Sequence, residues 1–277
     1  PTTPMILDIG VIQYLYGANM RYHSGNDVYA FDETTPYHET IWDGGGIDTL
    51  QFTGSMSNVI DLTPGAASFI GLPVYVQSNG VNLGSAIPNV WIAGGVILEN
   101  VIAGEGNDVL IGNTISNSLD GGQGIDFVQV QSARAQSVLN KSASGFTLTA
   151  LAQPTDKDQL INIERLKFND VNVALDIDGQ AGQVAKLLGA VFGATAVLNL
   201  ELVGIGLAEA NKGLSYEQLG QLAIHATGLT NHDDIVTMLW QNLFNTLPTR
   251  SEKSPYIHML DNGELTTGAL AIIAADS

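Results

Sequence analysis

The chain has 277 residues, enough for one large or two medium domains, and 45% of them are hydrophobic, as in a globular protein rather than an acidic disordered tail. Its 28 acidic residues outnumber its 10 basic residues, and the net charge of −18 argues against nucleic acid or an anionic membrane as a partner. There is no cysteine to form a disulfide, and no run approaches the ~20 apolar residues of a membrane span.

The N-terminal half of the chain carries mainly strand signals. Isoleucine and leucine recur at helical spacing in residues 4–18, which predicts a short amphipathic helix there. Strand–turn–strand signals follow, with β-branched and aromatic residues around a Gly-rich turn. Residues 52–100 alternate short apolar runs with turns and are interpreted as a flanking β-sandwich, and strands continue through 130–175. We therefore predict an all-β domain over residues 1–176.

Three loops of glycine and acid lie nine residues apart in residues 103–129, as AGEGNDVLI, GNTISNSLD and GGQGIDFVQ. An acid or its amide holds the sixth place of each: Asp108, Asn117 and Asp126. The apolar steps predict short strands, and glycine turns the chain because it adopts positive φ readily. Two strands and two turns make one coil, so loops two repeats apart stack at one edge. Ca²⁺ takes oxygen ligands, and this nonapeptide is the calcium-binding repeat of RTX proteins.

The alternative for this segment is a Gly/Asn-rich loop without metal, which a single GxGxD would favour. The pattern recurs in phase, and a further copy, WDGGGID, lies upstream, so calcium is the preferred interpretation. The middle repeat has Asn113, Ile115 and Asn117 in place of Gly, Gly and Asp. No strong site is expected on that edge.

From residue 177 the pattern becomes helical, in QVAKLLGAVFGA, SYEQLGQLAIHA, DDIVTMLWQNLF and TTGALAIIAAD. Ser215 and Gln218 fit a capping box. One apolar stripe is interpreted as helix core: Ile235, Val236, Leu239, Trp240, Leu243 and Phe244. KLLGAVF resembles MLWQNLF 52 positions later, which predicts an internal duplication. We therefore predict an all-α domain over residues 177–277.

Several motifs together resemble the C-terminal half of the serralysins in order and spacing: PMILDIGVIQYLYGANM, DVYAF, IWDGGGIDTLQF, ILENVIAGEGNDVLIGN and LDGGQGID. Serralysins are secreted zinc metalloproteases with a parallel β-roll. The resemblance implies a β-roll here, a secreted, extracellular or cell-surface location, and the type I secretion apparatus as a partner. The helical half resembles, more weakly, a module that follows RTX regions, but it lacks that module's Gly-Arg-x-Pro-Asp turns and paired tryptophans.

The zinc helix of those proteases reads HExxHxxGxxH, with imidazoles on one helical face and Glu as the general base. No such string exists in this sequence, where His38-Glu39 continues as Thr-Ile-Trp and the five histidines are scattered. There is also no GxSxG elbow, no P-loop and no carboxylate pair in a catalytic setting. The chain is therefore predicted to be non-catalytic and to bind no zinc.

The resemblance implies about three bound Ca²⁺ ions, each held by residues of stacked loops. The first site would use the carbonyls or carboxylates of His23, Gly25, Asp27, Asp43, Gly45 and Asp48. The second would use Gly46, Asp48, the carbonyl of Ile97 and Glu99. The third would use Gly104, Gly106, Asp108, Gly121, Gln123 and Asp126. The family has Arg and Thr where this chain has His23 and Asp27.

Two functions are open at this point. The first is the non-catalytic C-terminal module of a serralysin-like metalloprotease, which would serve calcium-dependent folding and type I secretion. The alternative is a stand-alone extracellular structural or adhesive protein of a cell surface or matrix. The unusual helical domain favours that alternative, because it offers a surface for self-assembly or for a protein partner.

Overall fold

The chain divides into a strand-rich unit, Pro1–Leu175, and a helical unit, Asp176–Ser277, and the computed structural model describes residues 3–277. The strand-rich unit contains helix α1 (Ile6–Tyr16), a 3-10 turn at Arg134–Gln136 and seventeen strands. The strands are β1 Val28–Asp32, β2 Glu39–Ile41, β3 Thr49–Thr53, β4 Val59–Asp61, β5 Ala67–Ser68, β6 Gln77–Ser78, β7 Val81–Asn82, β8 Val90–Ile92, β9 Asn100–Ile102, β10 Val109–Ile111, β11 Ser118–Asp120, β12 Phe127–Gln129, β13 Ser137–Ser142, β14 Gly145–Ala150, β15 Lys157–Ile161, β16 Arg165–Lys167 and β17 Asn172–Ala174.

Two sheets with parallel centres make up most of this unit. The larger has the order β1-β3-β9-β11-β15-β14-β13, and the smaller has the order β17-β16-β12-β10-β4. In the larger sheet, parallel pairing joins β1, β3, β9, β11 and β15. In the smaller sheet, it joins β16, β12, β10 and β4. Consecutive strands such as β9, β10, β11 and β12 alternate between the two sheets. The chain therefore coils, with one strand in each sheet per turn.

Most strands of the two parallel sheets place a central apolar side chain in the core. Side chains alternate between the two faces of a strand, so in β4 and β9–β12 only the central residue is buried. In the larger sheet the buried centres Leu50, Val101, Leu119 and Leu160 lie in register. In the smaller sheet the same relation joins the buried centres Ile60, Leu110, Val128 and Leu166. These two ladders fix the spacing of the loops between the strands.

The segment predicted as a flanking sandwich has a different organisation. Its strands β4 and β9 extend the two parallel sheets, whereas β5 and β8 join β2 in a small third sheet. The hairpin β6–β7 is exposed, and a second antiparallel pair, β13–β14, is added to the edge of the larger sheet. The pattern of short apolar runs and turns is the same for a sandwich and a coil, so the sequence did not separate them.

Helix α1 lies where it was predicted, but the prediction that it is amphipathic was wrong. None of its residues is buried, and Leu7 and Tyr14 are 79% and 90% exposed. Ile9 is half-buried and contacts the core. The cause is the distribution of apolar residues on all sides of the helix, which no single packing surface can cover.

The helical unit has its own hydrophobic core, and no helix among residues 3–277 is long and apolar enough to span a membrane. Its helices are α2 Gln180–Phe192, α3 Leu200–Asn211, α4 Tyr216–Ala226, α5 His232–Phe244, α6 Arg250–Asp261 and α7 Thr267–Ala275, with a 3-10 turn at Ala194–Leu198. The capping box at Ser215 is present. Of the predicted stripe on α5, Ile235, Val236 and Leu239 are buried, whereas Phe244 is 54% exposed.

Helix lengths in this unit repeat. Helices α2 and α5 each have 13 residues, and α3 and α6 each have 12. The sequence had indicated neither α3 nor α6. Gly204 and Gly206 lower helix propensity in α3, and Pro255 lies inside α6. Two sets of three helices are what a duplication would produce, and the duplication itself stays a prediction.

Candidate metal-binding loops

The loops between strands form two stacks, because each sheet's strands lie in parallel register. The first edge consists of the loops that lead into the larger sheet, 23–27, 43–48, 97–99 and 113–117, and of residues 156–158 at the start of β15. The second edge consists of the loops that lead into the smaller sheet: 54–58, 103–108, 121–126 and 162–164. Acidic residues or asparagine recur at the last position of these loops. Each edge therefore presents a column of carboxylate, amide and carbonyl groups.

Successive loops of the first edge are joined by one repeated hydrogen bond. The backbone N–H of Asp27 donates to Oδ1 of Asp48 at 2.8 Å, and the N–H of Asp48 donates to Oε2 of Glu99 at 2.7 Å. Further along, the N–H of Asn117 donates to Oδ1 of Asp158 at 2.9 Å. The last residue of a loop thus binds the acid that ends the neighbouring loop.

The second edge repeats this arrangement with different residues. The N–H of Asn58 donates to Oδ1 of Asp108 at 2.6 Å, and that of Asp108 donates to Oδ1 of Asp126 at 2.8 Å. The N–H of Asp126 then donates to Oε2 of Glu164 at 2.8 Å. In each link one carboxylate oxygen accepts from the last residue of the neighbouring loop, beside backbone bonds such as that from the N–H of Gln123 to the carbonyl of Gly104.

The second oxygen of three of these carboxylates has no donor. Oδ2 of Asp48, Asp108 and Asp126 is buried without a hydrogen-bond partner, and the three residues have no solvent exposure. Burial of an unpaired carboxylate oxygen is costly, because the desolvation of its charge is not compensated. A cation at each position would compensate it. The residues present therefore fit a metal ion that prefers oxygen ligands, and Ca²⁺ is such an ion.

The pKa values of these carboxyls reflect the same cost of burying a charged group. Burial raises the pKa of Asp108 to about 6 and that of Asp126 to about 8, and for Asp126 the charges of Asp108 and Glu164 add to the effect. Burial, with repulsion from nearby carboxylates, also raises the pKa of Asp48 and of Glu99. An adjacent cation has the opposite effect, because it favours the ionised form.

Glycine allows the loops to approach closely. A Cβ at Gly46 would lie 1.9 Å from the carbonyl oxygen of Gly25, and one at Gly122 would lie 1.8 Å from that of Gly104. A Cβ at Gly124 would likewise lie 2.2 Å from the carbonyl oxygen of Gly106. Backbone carbonyls of one loop therefore face the next loop, where only glycine leaves room for them.

The structure brings the residues of each predicted calcium site together on one edge. For the first site, carboxylate oxygens of Asp27 and Asp43 lie within 4.8 Å of one another, and a ring nitrogen of His23, not its predicted carbonyl, lies within the same distance. The carbonyl of His23 accepts from the N–H of Gly44, and the N–H of Gly45 donates to Asp43. The remaining members lie in the same or adjacent stacked loops: Gly25, Gly46, Asp48, Ile97 and Glu99 on the first edge, and Gly104, Gly106, Asp108, Gly121, Gln123 and Asp126 on the second.

The degenerate middle repeat has amides between its loops instead of acids. Nδ2 of Asn113 donates to the carbonyl of Leu98 at 2.8 Å, and Nδ2 of Asn117 donates to that of Glu99 at 3.2 Å. Oδ1 of Asn117 also accepts from the N–H of Asn113. These carbonyls are satisfied by donors within the protein, which supports the expectation of no strong site there.

Sequence reasoning missed three residues that the loops bring into the columns. Asn58 donates from Nδ2 to Asp108 at 2.9 Å, and Glu164 and Asp158 take the positions of repeat acids. Burial raises the pKa of Asp158 to about 7. Glu164 follows Asp126 by 38 positions because the hairpin β13–β14 intervenes, which conceals the period of nine. The pairing of an acid with a following short apolar strand in IERLKF was the available signal.

Together the coil and its two loop columns define a strand-rich repeat protein with oxygen-rich edges, and comparison with known proteins identifies its family. Residues 13–226 match the family described as Peptidase M10 serralysin C terminal, and the chain belongs to this family. The resemblance inferred from the motifs is thereby confirmed.

Relatives in this family are proteases of greater length. The chain is 37% identical over 131 residues to metalloprotease AprA of Pseudomonas entomophila, a match that covers 43% of this chain and 24% of the relative. It is 37% identical over 129 residues to serralysin of Proteus mirabilis, covering 42% and 24%. It is 41% identical over 121 residues to serralysin C of Dickeya chrysanthemi, covering 39% and 22%. The chain spans about a quarter of the length of the curated relatives it matches.

Proposed function

We propose that the strand-rich unit is a calcium-binding parallel β-roll that serves as the non-catalytic C-terminal module of a serralysin-like metalloprotease. The observation that carries the proposal is the repeated buried Oδ2 oxygen without a donor, at Asp48, Asp108 and Asp126. Family membership supports the same conclusion. The absence of HExxH from the sequence supports a non-catalytic role.

Calcium would be held by carboxylates and carbonyls of neighbouring loops. We assign one ion to the loops 23–27 and 43–48, one to the pair Asp48 and Glu99, and one to the loops 103–108 and 121–126. When bound, Ca²⁺ supplies positive charge and accepts several oxygen ligands in flexible geometry. The chain's own contribution is to place oxygens from two loops at one position through the parallel register of its strands.

Folding and ion binding are coupled by charge. Without a cation, stacked carboxylates repel one another, and their buried unpaired oxygens carry a desolvation cost that opposes the burial of the apolar core. An ion that binds the folded state alone stabilises it in proportion to the logarithm of its concentration. The unit would therefore stay unfolded and exportable at low cytosolic calcium and fold outside the cell, where calcium is abundant. Type I secretion fits this sequence of events.

The alternative of a stand-alone structural or adhesive protein has less support. The family match covers residues 13–226 and so includes part of the helical unit as well as the roll. Intact mass of the protein in its native source separates the two functions. A longer chain that contains HExxH supports the module, and a product with the mass of this chain alone supports the stand-alone protein.

The central experiment is a calcium titration of the chain followed by far-UV circular dichroism, with a chelator control. The test variant is the double substitution Asp48→Ala and Asp126→Ala. The matched control is Glu105→Ala with Asp170→Ala, which removes two exposed acids from the same unit. We expect strand signal to appear with calcium in the wild type and in the control but not in the test variant. A spectrum unchanged by chelator, together with no calcium by elemental analysis, would overturn the proposal.

A further inference from the structure

One loop of the first edge has a nitrogen ligand where calcium sites use oxygen. His23 lies in the loop 23–27 with φ of 47°, and its Nδ1 is 3.3 Å from Oδ1 of Asp27. A carboxylate oxygen of Asp43, from the adjacent loop, completes a group whose ligand atoms all lie within 4.8 Å of one another. Imidazole is a poor ligand for Ca²⁺ and a good one for zinc, copper or nickel.

The spacing of these atoms suits a small tetrahedral ion. Zinc binds imidazole nitrogen at about 2.0–2.1 Å and carboxylate oxygen at about 2.0–2.2 Å, so two ligand atoms at the tetrahedral angle lie roughly 3.3–3.5 Å apart. The distance from His23 to Asp27 falls in that range. The ligand atom of Asp43 lies within 4.8 Å of both.

Neighbouring groups hold these side chains in place. The hydroxyl of Tyr29 donates to Oδ2 of Asp43 at 2.5 Å, and the N–H of Gly45 donates to Oδ1 of Asp43 at 2.6 Å. The His23 ring contacts the rings of Tyr22 and Tyr29, with centroids 4.3 and 5.9 Å away. Hydrogen bonds to a ligating carboxylate are the usual outer support of a metal site.

A second observation also points to a cation at this position. Oδ2 of Asp48 is fully buried and has no donor. The Asp43 and Asp27 side chains are charged neighbours of the Asp48 carboxyl. A cation held by Asp27 and Asp43 would offset the negative charge of all three carboxylates.

We propose that His23, Asp27 and Asp43 form a binding site for a borderline divalent transition ion such as zinc. This ion would compete with calcium for Asp27 and Asp43, and the inference in that respect rests on the proposed function of the first loop pair. The sequence had predicted no zinc because no second histidine lies at the spacing of a zinc helix. A search for that sequence motif does not detect a site whose carboxylates come from two stacked loops.

The test uses the full chain, prepared in calcium and titrated with Co²⁺ as a spectroscopic probe for zinc. The test variant is His23→Asn, because asparagine tolerates positive φ. The matched control is His232→Asn, since His232 also contacts an aspartate, with Nδ1 2.6 Å from Oδ1 of Asp261. Equilibrium dialysis with elemental analysis gives the stoichiometry, and the visible absorption of tetrahedral Co²⁺ reports the geometry.

We expect one Co²⁺ per wild-type chain with tetrahedral absorption, displaced by Zn²⁺ and weakened by added calcium. His23→Asn should lower the affinity at least about tenfold, whereas His232→Asn should leave it unchanged. Equal binding by wild type and His23→Asn, or no tetrahedral absorption, would mean that His23 and Asp27 form an ion pair only and would overturn the inference. This failure and failure of the proposed calcium function give different results. If only this inference fails, calcium still induces strand signal in the wild type and in His23→Asn. If the proposed calcium function fails, calcium induces no strand signal in either.

Discussion

At the scale of single residues, the two oxygens of a loop carboxylate differ in their hydrogen-bond partners. Oδ1 of Asp126 accepts the N–H of Asp108, whereas its Oδ2 has no donor. The substitution Asp126→Asn keeps an acceptor for the N–H and removes the charge. We expect the midpoint of the calcium titration to rise at least about tenfold, because the ion loses a charged ligand. Circular dichroism during the titration measures this midpoint.

The matched control for that substitution is Glu105→Gln. It also removes one charge, but from an exposed side chain of the neighbouring loop 103–108. Its calcium midpoint should stay within about twofold of the wild type, since exposed charges interact weakly through water. Equal shifts in both variants would show that total loop charge, and not ligation by Asp126, sets the affinity.

The pH dependence of the metal-free chain follows from the same carboxyls. Burial raises the pKa of Asp108 to about 6 and of Asp126 to about 8, above the ordinary value of 3.8. The folded state therefore holds more protons than the unfolded state between these values, and stability falls as pH rises through them. In chelator, the residual strand signal in far-UV circular dichroism should be greater at pH 5 than at pH 8.5, because protonation of these carboxyls partly replaces the cation. Asp126→Asn should reduce the pH dependence in its upper part, and a strand signal in chelator that increases with pH would contradict the assignment.

The period of nine identified acids that lie in phase with it, and acids outside that phase, such as Asp27 and Asp48, were identified only where the family resemblance supplied them. Asp108 and Asp126 were found because the loops that hold them differ by two whole repeats. Glu164 was not found, because its place in the column depends on the hairpin β13–β14, and the local sequence does not specify how that hairpin pairs with the sheet. The resemblance had already placed His23 and Asp43 in one site, but it assigned the carbonyl of His23, and the position of the imidazole ring beside the carboxylates was not predicted.

At the scale of elements, loop stacking depends on glycine at the points of closest approach. Gly122 has φ of 88°, and a Cβ there would lie 1.8 Å from the carbonyl oxygen of Gly104. Gly65 has φ of 86° and nothing within 4 Å of such a Cβ. Gly65→Ala should therefore lower the free energy of unfolding by about 1–2 kcal/mol, from backbone conformation alone. Gly122→Ala should lower it by a further ~1–3 kcal/mol, because the loops must also separate.

Chemical denaturation in saturating calcium measures both glycine variants under one condition. Their backbone angles are nearly equal, so the difference between them isolates the close contact between loops. Gly122→Ala should also weaken calcium binding, whereas Gly65→Ala should not. If the two variants lose the same stability, the loops at Gly122 and Gly104 are free to move apart, and the rigid column is the wrong description.

Elements were predictable where local pattern and tertiary structure agree. The helices α2, α4, α5 and α7 follow apolar periodicity, and β10 and β12 follow the repeat. Helix α3 contains two glycines and α6 contains a proline, so packing in the helical core must override their low propensity. The organisation of residues 52–100, with a third sheet and a hairpin, depends on which strands pair, and short apolar runs do not specify their partners.

At the scale of the whole molecule, the two units differ in what stabilises them. In the described part of the chain, every buried carboxylate oxygen without a donor lies in the strand-rich unit, at Asp48, Asp108, Asp126 and Asp156. The helical unit has an apolar core of its own, and side chains such as Ser215 and Thr249 cap its helices. Calcium should therefore be required by one unit and not by the other.

Hydrogen exchange with mass spectrometry tests this division in the intact chain. On chelation, peptides of β9–β12 should lose protection, because the stacked loops then repel one another and the short strands separate. Peptides of α2 and α4–α7 should keep the exchange rates that they have in calcium. The Asp48→Ala, Asp126→Ala variant in calcium should reproduce the chelated pattern, which excludes a direct effect of the chelator. Simultaneous loss of protection over residues 180–275 would show instead that the helical unit depends on the calcium-bound unit for its stability.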